Sequence, residues 1–198
     1  MDKGMTLVIG GARSGKSSFA QRLAEKDGGK VCFLATAAAG DGEMSERIRK
    51  HRQSRPSHWM TVELSDGTAL AINPSGIDIL IFDCFTVYLS NLMAAGGLDW
   101  PVADEDLMPE SQVMNLMEST EREALQLVDR LRESVRTLIV VSNEVGMGVV
   151  PAFRLGRIFR DLSGRLNQAM AARADHVHFV VAGIPLSLKP YEIGGSHG

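Results

Sequence analysis

The chain has 198 residues, 44% of them hydrophobic, which is enough for one substantial core and favours a single nucleotide-binding domain over residues 1–198. Its formal net charge of −3, with both signs scattered along the chain, excludes a global electrostatic case for nucleic acid or an anionic membrane, so any basic function is local. Two cysteines in apolar runs, Cys32 and Cys84, point to reduced buried thiols; without a run of about 20 apolar residues or a signal-peptide pattern, no membrane span and a cytoplasmic location are expected.

In chain order, apolar runs of strand length occur at residues 6–9, 31–35, 77–82, 138–142 and 176–181. Most lack polar alternation, as strands covered on both faces do. Helical patterns fall between them at 16–26, 44–53, 85–94, 113–133 and 153–173. Strands alternating with helices predict a doubly wound α/β sandwich with a mostly parallel central sheet.

The first strand runs directly into Gly10-x-x-x-x-Gly15-Lys16-Ser17, which opens the first helix. That context is what a phosphate-binding loop requires: glycines allow tight curvature, successive N–H groups point at phosphate oxygens, and the helix N-terminus adds its positive end. Lys16 would reach the β- and γ-phosphates and Ser17 a Mg²⁺ ion, which places the fold in the P-loop NTPase (RecA-like) class. Further on, Ile79-Leu80-Ile81-Phe82-Asp83 is an apolar strand ending in an acid. Asp83 reads either as a metal-side carboxylate or as a cap for the helix that follows.

Residues 43–55 hold five basic side chains, Arg47, Arg49, Lys50, Arg52 and Arg55, against two acids. On a helix Met44, Ile48, His51 and Arg55 share one face. Two readings of His51 stand side by side: a packed or capping imidazole, and a ring kept neutral by its cationic neighbours and competent as a nucleophile. The helix ends before Pro56, and a short segment with Trp59, Thr61 and Glu63 enters another extended stretch. Trp59 reads as core or as a stacking platform.

Residues 96–109 read as an exposed loop. The glycine-rich stretch 146–151 follows a strand and so lies at the carboxyl edge of the sheet, where ligands bind in open α/β folds. The helix after it carries Arg154, Arg157, Arg160 and Arg165, read either as a solvated basic face or, for Arg154, as a phosphate contact.

GGARSGKS, the ATA at 35–37, RIRKHRQSRPSHWMTVE, and SNEVGMGVVP followed by RLGRIFRDLSGRLNQAMAARADHVHFVVAGIPL together resemble the bifunctional adenosylcobinamide kinase/adenosylcobinamide-phosphate guanylyltransferase family. The resemblance covers nearly the whole chain. It implies phosphorylation of adenosylcobinamide by ATP or GTP, then transfer of GMP from GTP to adenosylcobinamide phosphate through a guanylylated histidine. His51 holds the matching position, and His58 is its competitor. The nucleotide contacts it implies are Gly10, Gly11, Ala12, Arg13, Ser14, Gly15, Lys16, Ser17, Ala35, Thr36, Ala37, Arg52, Gln53, Ser54, Arg55, Glu63 and Asp83, with Mg²⁺ on Ser17 and Asp83; family members often carry Glu at the position of Asp83. A symmetric homo-oligomer is implied as well. Competing classes are a P-loop kinase of a small metabolite that needs no nucleophilic histidine, a GTP-binding switch or assembly protein, and a nucleotidyltransferase without the kinase step.

Overall fold

The computed structural model describes residues 4–36, 55–64, 76–98 and 108–190. Seven strands, β1 (Gly4–Gly10), β2 (Val31–Ala35), β3 (Met60–Glu63), β4 (Ile79–Asp83), β5 (Thr137–Asn143), β6 (His176–Val181) and β7 (Ile184–Lys189), form one sheet in the order β3-β2-β4-β5-β1-β6-β7. All neighbours are parallel except β6 and β7. The helices among the described residues are α1 (Lys16–Asp27), α2 (Phe85–Ala95), α3 (Glu110–Ser134) and α4 (Arg154–Arg173).

The central strands are apolar throughout because both of their faces are covered. On one face Val8, Ile79, Ile81, Ile139, Val141 and Val180 pack with Ala20 and Ala24 of α1. On the other, Leu7, Leu80, Phe82, Leu138 and Val140 meet residues of α2, α3 and α4, among them Leu89, Leu127 and Leu162. Each large side chain so enclosed contributes about 1.5–3 kcal/mol, which is why the middle of the sheet is the rigid part of the scaffold.

β3 fills the extended stretch expected beyond Pro56. β4 starts at Ile79, two residues later than the apolar run, because Gly76 turns the chain at φ 78° and Asp78 Oδ2 accepts the Lys30 N–H at 2.8 Å. β7 lies outside every predicted strand. Ala182 and Gly183, at φ 51° and 81°, form a two-residue turn that folds it back on β6, and its position at the sheet edge accommodates Pro185. The helix predicted over 44–53 and the middle of the loop predicted over 96–109 lie outside the described residues. None of the described helices is long and apolar enough to cross a membrane.

Candidate active site at the carboxyl edge of the sheet

Parallel pairing brings several strand ends into one row. Ala35 is in register with both Asp83 and Glu63, and Gly10 with both Asn143 and Val180. Residues from six strands, β1 to β6, therefore meet along one edge, Glu63, Asp83 and Asn143 among them, with the connection between β1 and α1 following from it.

In that connection two glycines are required by geometry. A Cβ on Gly10 would collide with the Val180 carbonyl and stand 2.9 Å from Ser14 Oγ. Gly15, at φ 96°, caps α1 in the left-handed region, and a Cβ there would lie 3.2 Å from Gly183 Cα. The Gly183 N–H donates to the Ser14 carbonyl at 2.8 Å, so the β6–β7 turn holds the loop from one side. From the other, the Glu144 N–H donates to the Gly10 carbonyl at 2.9 Å. Ser14 Oγ is buried without a hydrogen-bond partner among the described residues. A polar atom left in that state inside a rigid loop is suited to a ligand that brings its own oxygens.

Lys16 is only 7% exposed, and its Nζ donates to the Gly11 carbonyl at 2.6 Å. Burial lowers its pKa; the negative charge of Asp83 opposes that shift and supports the ammonium form. Cys84 also adjoins this pair, but burial and the neighbouring Asp83 push its thiol up to about 11, so at neutral pH it is uncharged. The charge that Lys16 faces is thus the carboxylate of Asp83.

Asp83 stands one residue before the N-cap position of α2. The N-cap is Cys84, and it makes no side-chain capping bond. Thr36 fixes the segment: its hydroxyl donates to the Cys84 carbonyl at 2.8 Å and accepts the Cys84 N–H at 2.9 Å, while the Thr36 N–H donates to the Asp83 carbonyl at 3.3 Å. Asn91 Nδ2 secures Thr36 in turn, at 3.1 Å from its carbonyl. Thr36 is fully buried and its hydroxyl is occupied by Cys84.

A buried polar network absent from the sequence-based set backs this row. The Asn143 N–H donates to Thr86 Oγ1 at 2.7 Å, Ser142 Oγ donates to Asn167 Oδ1 at 2.7 Å, and Asn167 Nδ2 donates to the Asn143 carbonyl at 3.1 Å. Asn143 Nδ2 reaches Cys84 Sγ at 3.7 Å. α2, β5 and α4 are locked together behind the site, and a satisfied network of this kind favours one arrangement. In the sequence, Ser142 and Asn143 fall in the string SNEVG and Asn167 in RLGRIFRDLSGRLNQ, but neither string shows that they meet.

Of the remaining sequence-predicted residues, Arg55 lays its guanidinium over the Phe33 ring, 3.6 Å from the centroid. Trp59 is buried in the α1-side core, which decides for the core reading, and the exposed His58 meets its edge at 6.5 Å. Arg157 Nη1 donates to the Pro151 carbonyl at 3.0 Å, Arg160 pairs with Asp161 and Arg165 with Glu121, so these three serve the protein's own structure. Ala37, His51, Arg52, Gln53 and Ser54 lie outside the described residues.

No group of three or more His, Cys, Asp or Glu side chains among the described residues could hold a metal alone. Ser17 in the first turn of α1 and Asp83 beside Lys16 supply two hard oxygen donors instead. Mg²⁺ fits such a set, since it keeps several waters and takes its other ligands from substrate phosphates.

The family model described as "Cobinamide kinase / cobinamide phosphate guanyltransferase" matches residues 6–188. The chain is 43% identical over 185 residues to the Bifunctional adenosylcobalamin biosynthesis protein CobP of Pseudomonas aeruginosa, covering 92% of this chain and 96% of that one. It is 40% identical over 189 residues to the Bifunctional adenosylcobalamin biosynthesis protein CobU of Escherichia coli, covering 93% and 99%. Among solved structures it is similar to the flagellar accessory protein FlaH of Methanocaldococcus jannaschii, with a TM-score of 0.48 and 15% identity over 95% of this chain and 79% of that one.

Proposed function

The chain belongs to the cobinamide kinase/cobinamide phosphate guanyltransferase family, and on that premise we propose that one phosphate loop serves two successive transfers on the same corrinoid acceptor. In the first, the hydroxyl of adenosylcobinamide attacks the γ-phosphorus of ATP or GTP. The new O–P bond forms as the bond to the β-phosphate oxygen breaks, a nucleoside diphosphate leaves, and the hydroxyl proton passes to solvent. Lys16 and the loop N–H groups meet the charge that develops on the phosphoryl oxygens, so the protein's contribution is positioning and electrostatics. Ser17 and Asp83 would hold a Mg²⁺ ion, which would supply charge neutralisation to the nucleotide's phosphates.

In the second transfer His51 attacks the α-phosphorus of GTP and releases pyrophosphate, forming a phosphorus–nitrogen bond. An oxygen of adenosylcobinamide phosphate then attacks that phosphorus, the P–N bond breaks, and the imidazole is restored as adenosylcobinamide-GDP forms. The basic residues Arg52 and Arg55 would draw the triphosphate toward that ring, and Gln53, Ser54, Ala37 and Glu63 would add further nucleotide contacts. One domain carries both steps, in a cytoplasmic homo-oligomer. Support for the oligomer comes from β7, the edge strand among the described residues, where Ile184, Leu186 and Leu188 are exposed.

The observation that carries this reading is a buried Lys16, near enough to Asp83 to feel its charge, beside a loop in which a Cβ on Gly10 would collide with the Val180 carbonyl. A product assay tests it. With γ-labelled nucleotide, label should enter adenosylcobinamide; with α-labelled GTP, label should enter only after the phosphorylated acceptor is present. Labelling of a small metabolite in place of the corrinoid would support the simple-kinase alternative.

A further inference from the structure

We propose that Met147, Val149, Val150 and Phe153, in the loop between β5 and α4, form the seat for the corrinoid ring of the acceptor. This rests on the reading above, which assigns no residue to the ring. The four side chains are 78%, 95%, 59% and 65% exposed. Single exposed apolar residues are ordinary, but four within seven consecutive positions form a patch, and a patch of this kind marks a contact surface. From Val145 to Phe153 the loop has no ionisable side chain.

Its position selects the occupant. Asn143, from which the loop departs, is in register with Gly10, and the next residue, Glu144, bonds the Gly10 carbonyl through its N–H at 2.9 Å. The start of the loop is thereby tied to the phosphate loop. Its far end is held by Arg157 Nη1, which donates to the carbonyls of Pro151 at 3.0 Å and Ala152 at 2.5 Å. An apolar, uncharged stretch is thus presented by backbone fixed at both ends, directly beside the place where a γ-phosphate is transferred.

The acceptor must bring its hydroxyl to that phosphate while its broad, flat, largely neutral ring lies within one linker of the hydroxyl. On the same side of β1, beyond β5 along the sheet edge, the ends of β4 and β3 carry Asp83 and Glu63. Those polar groups suit the nucleotide and metal, and the apolar loop after β5 suits the ring. A second copy of the chain has a separate candidate surface along β7, the edge strand among the described residues, with its exposed apolar side chains.

The test is steady-state kinetics of the full chain with Val149→Ser/Val150→Ser and, separately, Phe153→Ser. Native mass, melting temperature and the yield of protein-bound label from α-labelled GTP are measured alongside. The expected result is a KM for adenosylcobinamide raised about tenfold or more, with the KM for nucleotide and the labelling yield within about twofold and native mass unchanged. An acceptor KM within about twofold of wild type in both variants, or a fall in native mass, would overturn the assignment and in the second case give the patch to another copy of the chain. A wild-type protein that does not turn over adenosylcobinamide would overturn the family-based reading and this inference together; a normal wild type with unaffected variants removes only the inference.

Discussion

Two glycine-rich connections leave neighbouring strands at the same edge of the sheet, and they use glycine for opposite reasons. Between β1 and α1, Gly10 is enclosed by the Val180 carbonyl and Ser14 Oγ, and Gly15 sits in the left-handed region against Gly183. Between β5 and α4, a Cβ on Gly148 would meet nothing within 4 Å, and one on Gly146 would meet only the side chain of Glu144. The first connection is shaped from inside by its own neighbours. The second is exposed, and whatever shapes its requirements approaches from outside the chain.

Lys16→Ala should give the largest effect on this contrast. Removing the buried cation at the end of the enclosed loop should lower the kinase rate by about a hundredfold to a thousandfold, read by transfer from γ-labelled nucleotide. A rate within threefold of wild type would take Lys16 out of the mechanism.

A matched glycine pair comes next. Gly10→Ala should lower stability by roughly 1–3 kcal/mol and weaken nucleotide binding, because the added methyl group meets a backbone carbonyl that cannot move freely. Gly148→Ala should stay within about 0.5 kcal/mol of wild type. Denaturant titration of both variants, with and without GTP, checks the pair, and equal losses would erase the distinction drawn between the two loops.

The smallest effect expected is in pH dependence. Burial, with the positive charge of nearby His176, holds the His178 pKa below its ordinary 6.5. The unfolded chain then takes up a proton that the native state refuses, so stability is intact above 6.5 and is lost as pH falls below it toward the lowered native value. Melting temperature should therefore drop on the acid side, less steeply in His178→Gln, which cannot titrate. Parallel curves for the two proteins would assign the drop to other groups.

What the sequence made legible follows the same division. The phosphate loop could be read because its constraints are local: a strand, fixed glycines, a lysine and a helix within eight positions. The central strands could be read because full burial leaves unbroken apolar runs. β7 could not, since an edge strand has one covered side, and its Ile-Pro-Leu-Ser-Leu-Lys carries neither an apolar run nor a proline-free core pattern. Nor could the fastening of Asp83 by Thr36, or the Thr86, Ser142 and Asn167 set around Asn143. Those partners are 24 to 57 residues apart in the chain and meet only after the sheet has formed. The partners of Arg157 and Arg165 were illegible for a related reason, because helical spacing shows a shared face but not the carbonyls and the Glu121 carboxylate that this face meets.

The claim that one phosphate loop supports two chemistries depends most on His51. Wild-type protein incubated with α-labelled GTP and Mg²⁺, then denatured, should retain a GMP adduct that is labile to acid and stable to base, as a phosphorus–nitrogen bond is. Peptide mapping should place it on His51. In His51→Ala the adduct and the guanylyl transfer should both disappear while transfer from γ-labelled nucleotide continues, because that step relies on Lys16. An adduct that persists in His51→Ala and vanishes in His58→Ala, or no adduct in the wild type, would contradict the account.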